Sequence, residues 1–127
     1  MKIYHRIQID FDPQVSTLKE LTSLLGVEPV DDLSDSEGVC SSRWIYEVES
    51  GETEKYFDFI NVFLDLLEGK YSELFKLSVR PENISFWMLY EYDGQCNIEF
   101  DPLRLKRLAE NGISLCVSCW ESNRRAE

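Results

Sequence analysis

Three groups of residues in this chain have types and spacings that could carry chemistry. Cys116 and Cys119 form a Cys-x-x-Cys, the spacing of redox dithiols and of half a zinc site. His5 is the single histidine, the side chain whose ordinary pKa best suits proton transfer near neutral pH. Asp31, Asp32, Asp35 and Glu37 gather carboxylates of the kind a calcium loop uses.

Each group reads as structure once its surroundings are considered. The run Ile113 to Trp120 alternates and is β-branched, so it is expected to be a strand. Residues three apart on a strand point to opposite faces, which disfavours both a Cys116–Cys119 disulfide and shared metal ligation. A redox dithiol usually opens a helix, whose dipole lowers the thiol pKa. Cys40 and Cys96 lie far apart and supply no second zinc half-site, so all the cysteines read as buried structural residues. His5 falls on the inward, apolar phase of the first strand and reads as a satisfied structural histidine. The acidic run lacks the central glycine and the terminal bidentate glutamate of a calcium loop, and reads as solvated. No nucleophile elbow, phosphate-binding glycine loop or His-Glu-x-x-His occurs. The expectation is therefore a non-enzymatic protein with no cofactor and no metal.

Charge is the feature that these readings leave unexplained. Residues 28–58 hold ten acidic side chains against Arg43 and Lys55, most of the net −11 of the 127-residue chain. Such crowding costs stability, raises solubility and attracts basic partners. Arg104, Lys106 and Arg107 make a basic patch too small for a nucleic-acid footprint. Nucleic acid and anionic membrane are thus excluded as expected partners. No apolar run is long enough to cross a bilayer and the N-terminus has no signal-peptide core, so a cytoplasmic location is expected. Composition is that of a globular chain, 43% hydrophobic and 29% charged.

The elements that must position these residues can be read in turn. Residues 2–10 alternate as a strand, with Ile3, His5, Ile7 and Ile9 on one face and Lys2, Tyr4, Arg6 and Gln8 on the other. Thr17 and Glu20 are spaced as a capping box for a helix over 17–25, which Gly26 stops. Residues 27–41 form an acidic loop, and Arg43 to Glu49 a second strand. A long aromatic helix is expected over 53–68, with a further turn or two at 71–77. Asp93-Gly94 predicts a two-residue hairpin between Ile84–Tyr92 and Gln95–Phe100, pairing Leu89 with Ile98 and Trp87 with Phe100 on a buried face. Phe86, Met88, Tyr90 and Tyr92 then occupy the opposite face. Asp101-Pro102 caps a helix that ends at Asn111-Gly112, and a last strand spans about 113–120 before a frayed tail over 121–127. The expected whole is one α+β domain, a mostly antiparallel sheet of about five strands with helices packed on one face.

The Leu24-Leu-Gly-Val-Glu-Pro29 segment, Trp44, the aromatic helix, the Trp87–Phe100 segment and the Leu108–Trp120 unit together resemble a widespread family of small bacterial α+β domains. Some members look like immunity proteins encoded beside secreted or contact-delivered toxins. The resemblance spans roughly residues 3–120 and rests on framework residues, so it brings no catalytic residues with it. It implies a small, acidic, cytoplasmic protein that binds a basic toxin domain, for example a nuclease, one to one. The alternatives are a non-enzymatic regulatory module for a peptide or small ligand, and a nucleic-acid mimic aimed at a DNA-binding protein. The expected contact residues are Asp31, Asp32, Asp35, Glu37, Glu47, Glu49, Glu52 and Glu54, with Tyr90, Tyr92 and Glu99 as further anchors.

Overall fold

In the computed structural model the described residues are 2–30, 42–51 and 57–122. Strand β1 (Lys2–Asp10) leads to helix α1 (Leu18–Leu25), β2 (Arg43–Gly51), α2 (Phe59–Leu67), α3 (Tyr71–Lys76), β3 (Ile84–Tyr92), α4 (Pro102–Glu110) and β4 (Ser114–Glu121). A single turn of 3-10 helix at Pro81–Asn83 precedes β3. The four strands form one sheet in the order β2-β1-β3-β4. The pairs β1–β2 and β1–β3 are antiparallel, whereas β3 and β4 are parallel.

Local signals set most of these boundaries. The Thr17 hydroxyl accepts the Glu20 N–H and the Glu20 carboxylate accepts the Thr17 N–H, closing the capping box of α1. Gly26 ends that helix at φ 77°, a left-handed conformation that costs glycine nothing. Asp101 caps α4 by accepting the Arg104 N–H, with Pro102 at the first helical position. Helix α2 begins later than the expected residue 53, because Asp58 accepts the Asn61 N–H and starts the helix at Phe59. Residues 53–56 lie outside the described residues.

The expected hairpin does not form. A two-residue turn needs the Tyr92 carbonyl to accept the Gln95 N–H. That carbonyl instead accepts the Ser122 N–H at 2.6 Å, and Gln95 donates to Asp93 at 3.1 Å. Residues 95–100 are not a strand, so the sheet has four strands rather than five and is mixed. The physical reason is that β3 has two edges and both are occupied, one by β1 and the other by β4. β4 runs parallel to β3 because the connection between them carries a whole helix, α4.

The phase of β3 is correspondingly inverted. Phe86 pairs with Ile7 and Leu115 and is fully buried, and Met88 sits opposite His5 on the same face. Trp87 and Leu89 point to the other face, where they are half-buried. All the helices cover the first face. Leu21 and Leu25 of α1, Phe59, Ile60, Phe63, Leu64 and Leu67 of α2, Leu74 of α3 and Leu108 of α4 pack there on Ile7, Ile9, Trp44, Ile84 and Phe86. Trp44 donates its indole N–H to Thr22 Oγ1 at 3.0 Å, fastening α1 over β2. Phe63 stands edge-on to Tyr46, Phe57, Phe59 and Phe86 at centroid distances of 5.4–6.4 Å, the preferred geometry for aromatic rings. Phe100 joins the same cluster through Phe59, at 6.2 Å, so its apolar ring is covered without a hairpin.

Helices α2 and α4 are also tied by charge. Arg104 grips both Asp58 oxygens, at 2.7 and 3.1 Å, and pairs with Asp101. Its guanidinium is the main reason that the Asp58 carboxyl lies below its usual pKa. Arg107 donates to Asn61 and Asp65. Two of the three residues of the basic patch thus serve the helix packing.

Two outcomes test this arrangement. Phe86→Ala is expected to lower unfolding stability by about 3–5 kcal/mol, and Trp87→Ala by about 1–2 kcal/mol, in urea titrations. The reverse ranking would restore the hairpin phase. His5 is only 3% exposed, packs on the Phe57 and Phe59 rings, and has a buried Nδ1 with no hydrogen-bond partner. Burial pulls its pKa from 6.5 to about 4, against a hydrogen bond with the Val48 backbone that acts the other way. A folded value below the unfolded one means that the unfolded chain binds the proton more readily. This contribution is complete above pH 6.5 and is lost as pH falls to about 4. Urea midpoints should fall through that window in the wild type and flatten in His5→Leu.

Candidate functional site

Because every helix among the described residues lies on one side, the opposite phase of the strands forms a face of its own. β1 contributes Tyr4, Arg6 and Gln8, and the register sets each beside a residue on both neighbours. Tyr4 stands between Glu49 and Leu89, Arg6 between Glu47 and Trp87, and Gln8 between Ile45 and Ser85. β4 extends the face with Cys116 beside Trp87, Ser118 beside Leu89 and Trp120 beside Glu91. None of these residues belongs to the hydrophobic core. Ile45 at the β2 side is nonetheless buried, whereas Trp120 at the β4 side is 43% exposed.

The result is a band of rings and aliphatic groups, Tyr4, Leu89, Trp87 and Trp120, bordered by Glu47, Glu49 and Glu91. The Trp87 indole N–H donates to Ser85 Oγ, two residues earlier on the same strand, at 2.9 Å. Arg6 pairs with Glu47 through its Nε, so one cation and one acid cancel within the face. Glu49 and Glu91 form no ion pair among the described residues. Aromatic faces beside unpaired carboxylates suit the guanidinium and ammonium groups of another molecule, by cation–π contact and ion pairing together. Among the described residues, no cluster of three or more histidine, cysteine, aspartate and glutamate side chains could hold a metal ion.

The expected contact residues are separated by this geometry. Glu47 and Glu49 lie on the helix-free face. Tyr90 and Tyr92 lie on the helix-bearing side at the end of β3, their rings 6.5 Å apart and half-buried. Glu99 is exposed on the segment after β3. Asp31, Asp32, Asp35, Glu37, Glu52 and Glu54 lie outside the described residues, as does Cys40. The cysteines are a further correction, since Cys96 and Cys116 are half-buried and Cys119 is exposed. Among the described residues β4 is an edge strand, with no partner strand on its outer side. Cys116 and Cys119 do face opposite sides, as their spacing requires, Cys116 beside Trp87 and Cys119 beside Tyr90.

Sequence reasoning passed over Tyr4, Trp87, Leu89 and Trp120 as surface residues. The available signal was the outward phase of β1, because pairing β3 directly with β1 puts Trp87 and Leu89 beside Arg6 and Tyr4. Neither family models nor curated proteins nor solved structures give a match to this chain. No described helix is long and apolar enough to cross a membrane.

The Arg6–Glu47 pair is partly open to water, with side chains 25% and 20% exposed. Glu47→Gln is accordingly expected to cost about 1 kcal/mol or less in a urea titration. A much larger loss would make the pair a structural clamp rather than part of a surface.

Proposed function

We propose that this protein binds a basic protein domain on its helix-free sheet face and neutralises it, as an immunity protein does its toxin. The observation that carries the reading is the band of Tyr4, Trp87, Leu89 and Trp120, with Glu49 and Glu91 beside it and in no ion pair among the described residues. Large, rigid aromatic groups supply affinity at protein interfaces, and unpaired charge supplies the rate of encounter. A net charge of −11 steers a cationic partner toward the complex. A nuclease toxin would be such a partner, since it must carry positive charge to grip phosphates.

Shape favours a protein over a small ligand. A four-stranded sheet offers a broad, shallow surface, whereas small molecules are held in concave pockets. In this arrangement the acids of residues 31–54 add long-range attraction, and the aromatic band makes the close contacts.

The partner is sought by co-purification with the product of the adjacent gene and by growth rescue from its toxicity. With that partner, Trp120→Ala and Trp87→Ala are each expected to weaken affinity about 10-fold or more, mainly through faster dissociation. Glu49→Gln with Glu91→Gln should slow association and flatten its dependence on salt, as measured by surface plasmon resonance. Unchanged kinetics in all three variants would move the interface off this face.

A further inference from the structure

Helix α3 ends in a Schellman motif, in which the Val79 N–H donates to the Leu74 carbonyl and the Ser78 N–H to the Phe75 carbonyl, each at 2.9 Å. The motif places one residue in the left-handed conformation, where glycine is the usual choice. Glycine fills the other positive-φ positions among the described residues, Gly26, Gly69, Gly94 and Gly112, but here the chain keeps a serine at φ 65°. A side chain retained at a strained position points to a use other than folding. Ser78 lines a surface cleft of about 460 Å³ together with Phe75, Arg80, Glu82 and Asn83. Small-molecule sites occupy roughly 300–1,000 Å³. Phe75 is 60% exposed at the end of α3, and the Arg80 guanidinium carbon lies 5.4 Å from its ring centroid. Asn83 Oδ1 accepts the Arg80 backbone N–H at 2.9 Å, which orients the amide and leaves its NH2 to donate elsewhere. Neither Arg80 nor Glu82 is in an ion pair among the described residues.

We propose that this cleft is a binding site for a free α-amino acid with an apolar or aromatic side chain. Arg80 and the Asn83 amide donate to its carboxylate, and Ser78 adds a hydroxyl donor. Glu82 pairs with its ammonium group, and Phe75 packs on its side chain. The lining favours this zwitterion over simpler ligands. A bare phosphate would meet Glu82 as a like charge, and a hydrocarbon would leave the guanidinium, carboxylate and amide unanswered. The cleft is built from the end of α3 and the turn that leads into β3, so it is independent of the helix-free face and of the partner proposed there.

The test titrates L-phenylalanine into the full chain and follows backbone amide shifts by NMR. Expected are saturable shifts at Phe75, Ser78, Arg80 and Asn83, with a Kd of about 1 mM or lower. Phenylalanine amide, N-acetylphenylalanine and glycine each lack one of the three matched groups, and each should bind at least about 10-fold more weakly. Arg80→Gln, checked for an unchanged far-ultraviolet spectrum, should abolish saturation. Ser78→Gly separates the fold from the ligand. Glycine relieves the left-handed backbone, so the urea midpoint should rise, while loss of the hydroxyl should weaken binding about 3-fold or more. Shifts that grow linearly with ligand, saturable shifts confined to other residues, or equal binding of the amidated and acetylated compounds would overturn the proposal. Wild-type affinity in either variant would overturn it as well.

Discussion

The two hydrogen-bonding edges of β3 are the constraint on which the other features depend. β1 takes one edge in antiparallel register from Ile84 to Tyr90, and β4 takes the other in parallel register from Ser85 to Tyr92. With both edges occupied, residues 95–100 can add no strand and must leave the sheet. Helix α4 is needed to bring the chain back for a parallel pairing, and it lands against α2, where Arg104 and Arg107 meet carboxylates. The same pairing sets the phase of the strand. Phe86 turns toward Phe63 and the helices, and Trp87 turns away from them.

The helix-covered face and the helix-free face therefore have different physics. The first is a close-packed aromatic core in which Phe63 touches rings from both strands and helix, and in which even the single histidine is held neutral by burial. Removing a ring there leaves a void that rigid neighbours cannot fill. The second face carries its rings half in water. Its apolar area contributes less to folding and stays free to be buried again by another molecule. Glu49 and Glu91 on that face gain little from the folded chain itself, since no cation of the described residues pairs with them.

The edge strand β4 links these themes. Among the described residues its outer side has no neighbouring strand, and Val117, Cys119 and Trp120 stay accessible despite an apolar sequence. Exposed edges invite pairing with other chains unless something restrains them. The Ser122-to-Tyr92 hydrogen bond fixes the end of this strand from within the molecule.

Short-range physics was legible in the residues alone. The capping box at Thr17, the Asp101-Pro102 start of α4, the alternation of β1 and the opposed directions of Cys116 and Cys119 each depend on neighbours within a few positions. The α+β class and the helices on one face follow from the same local patterns. Pairing was not legible, because Ile84–Tyr92 is apolar on both phases and either phase could be buried. Asp93-Gly94 favours a hairpin locally, by an amount that a full-length parallel pairing with β4 outweighs. Which side of β3 faces the helices and where Trp87 and Trp120 emerge are consequences of that competition. The sequence by itself determined the helices and four of the five expected strands. Only the tertiary structure decided which strands share edges, because that choice is made by the summed pairing and packing of residues far apart in the chain.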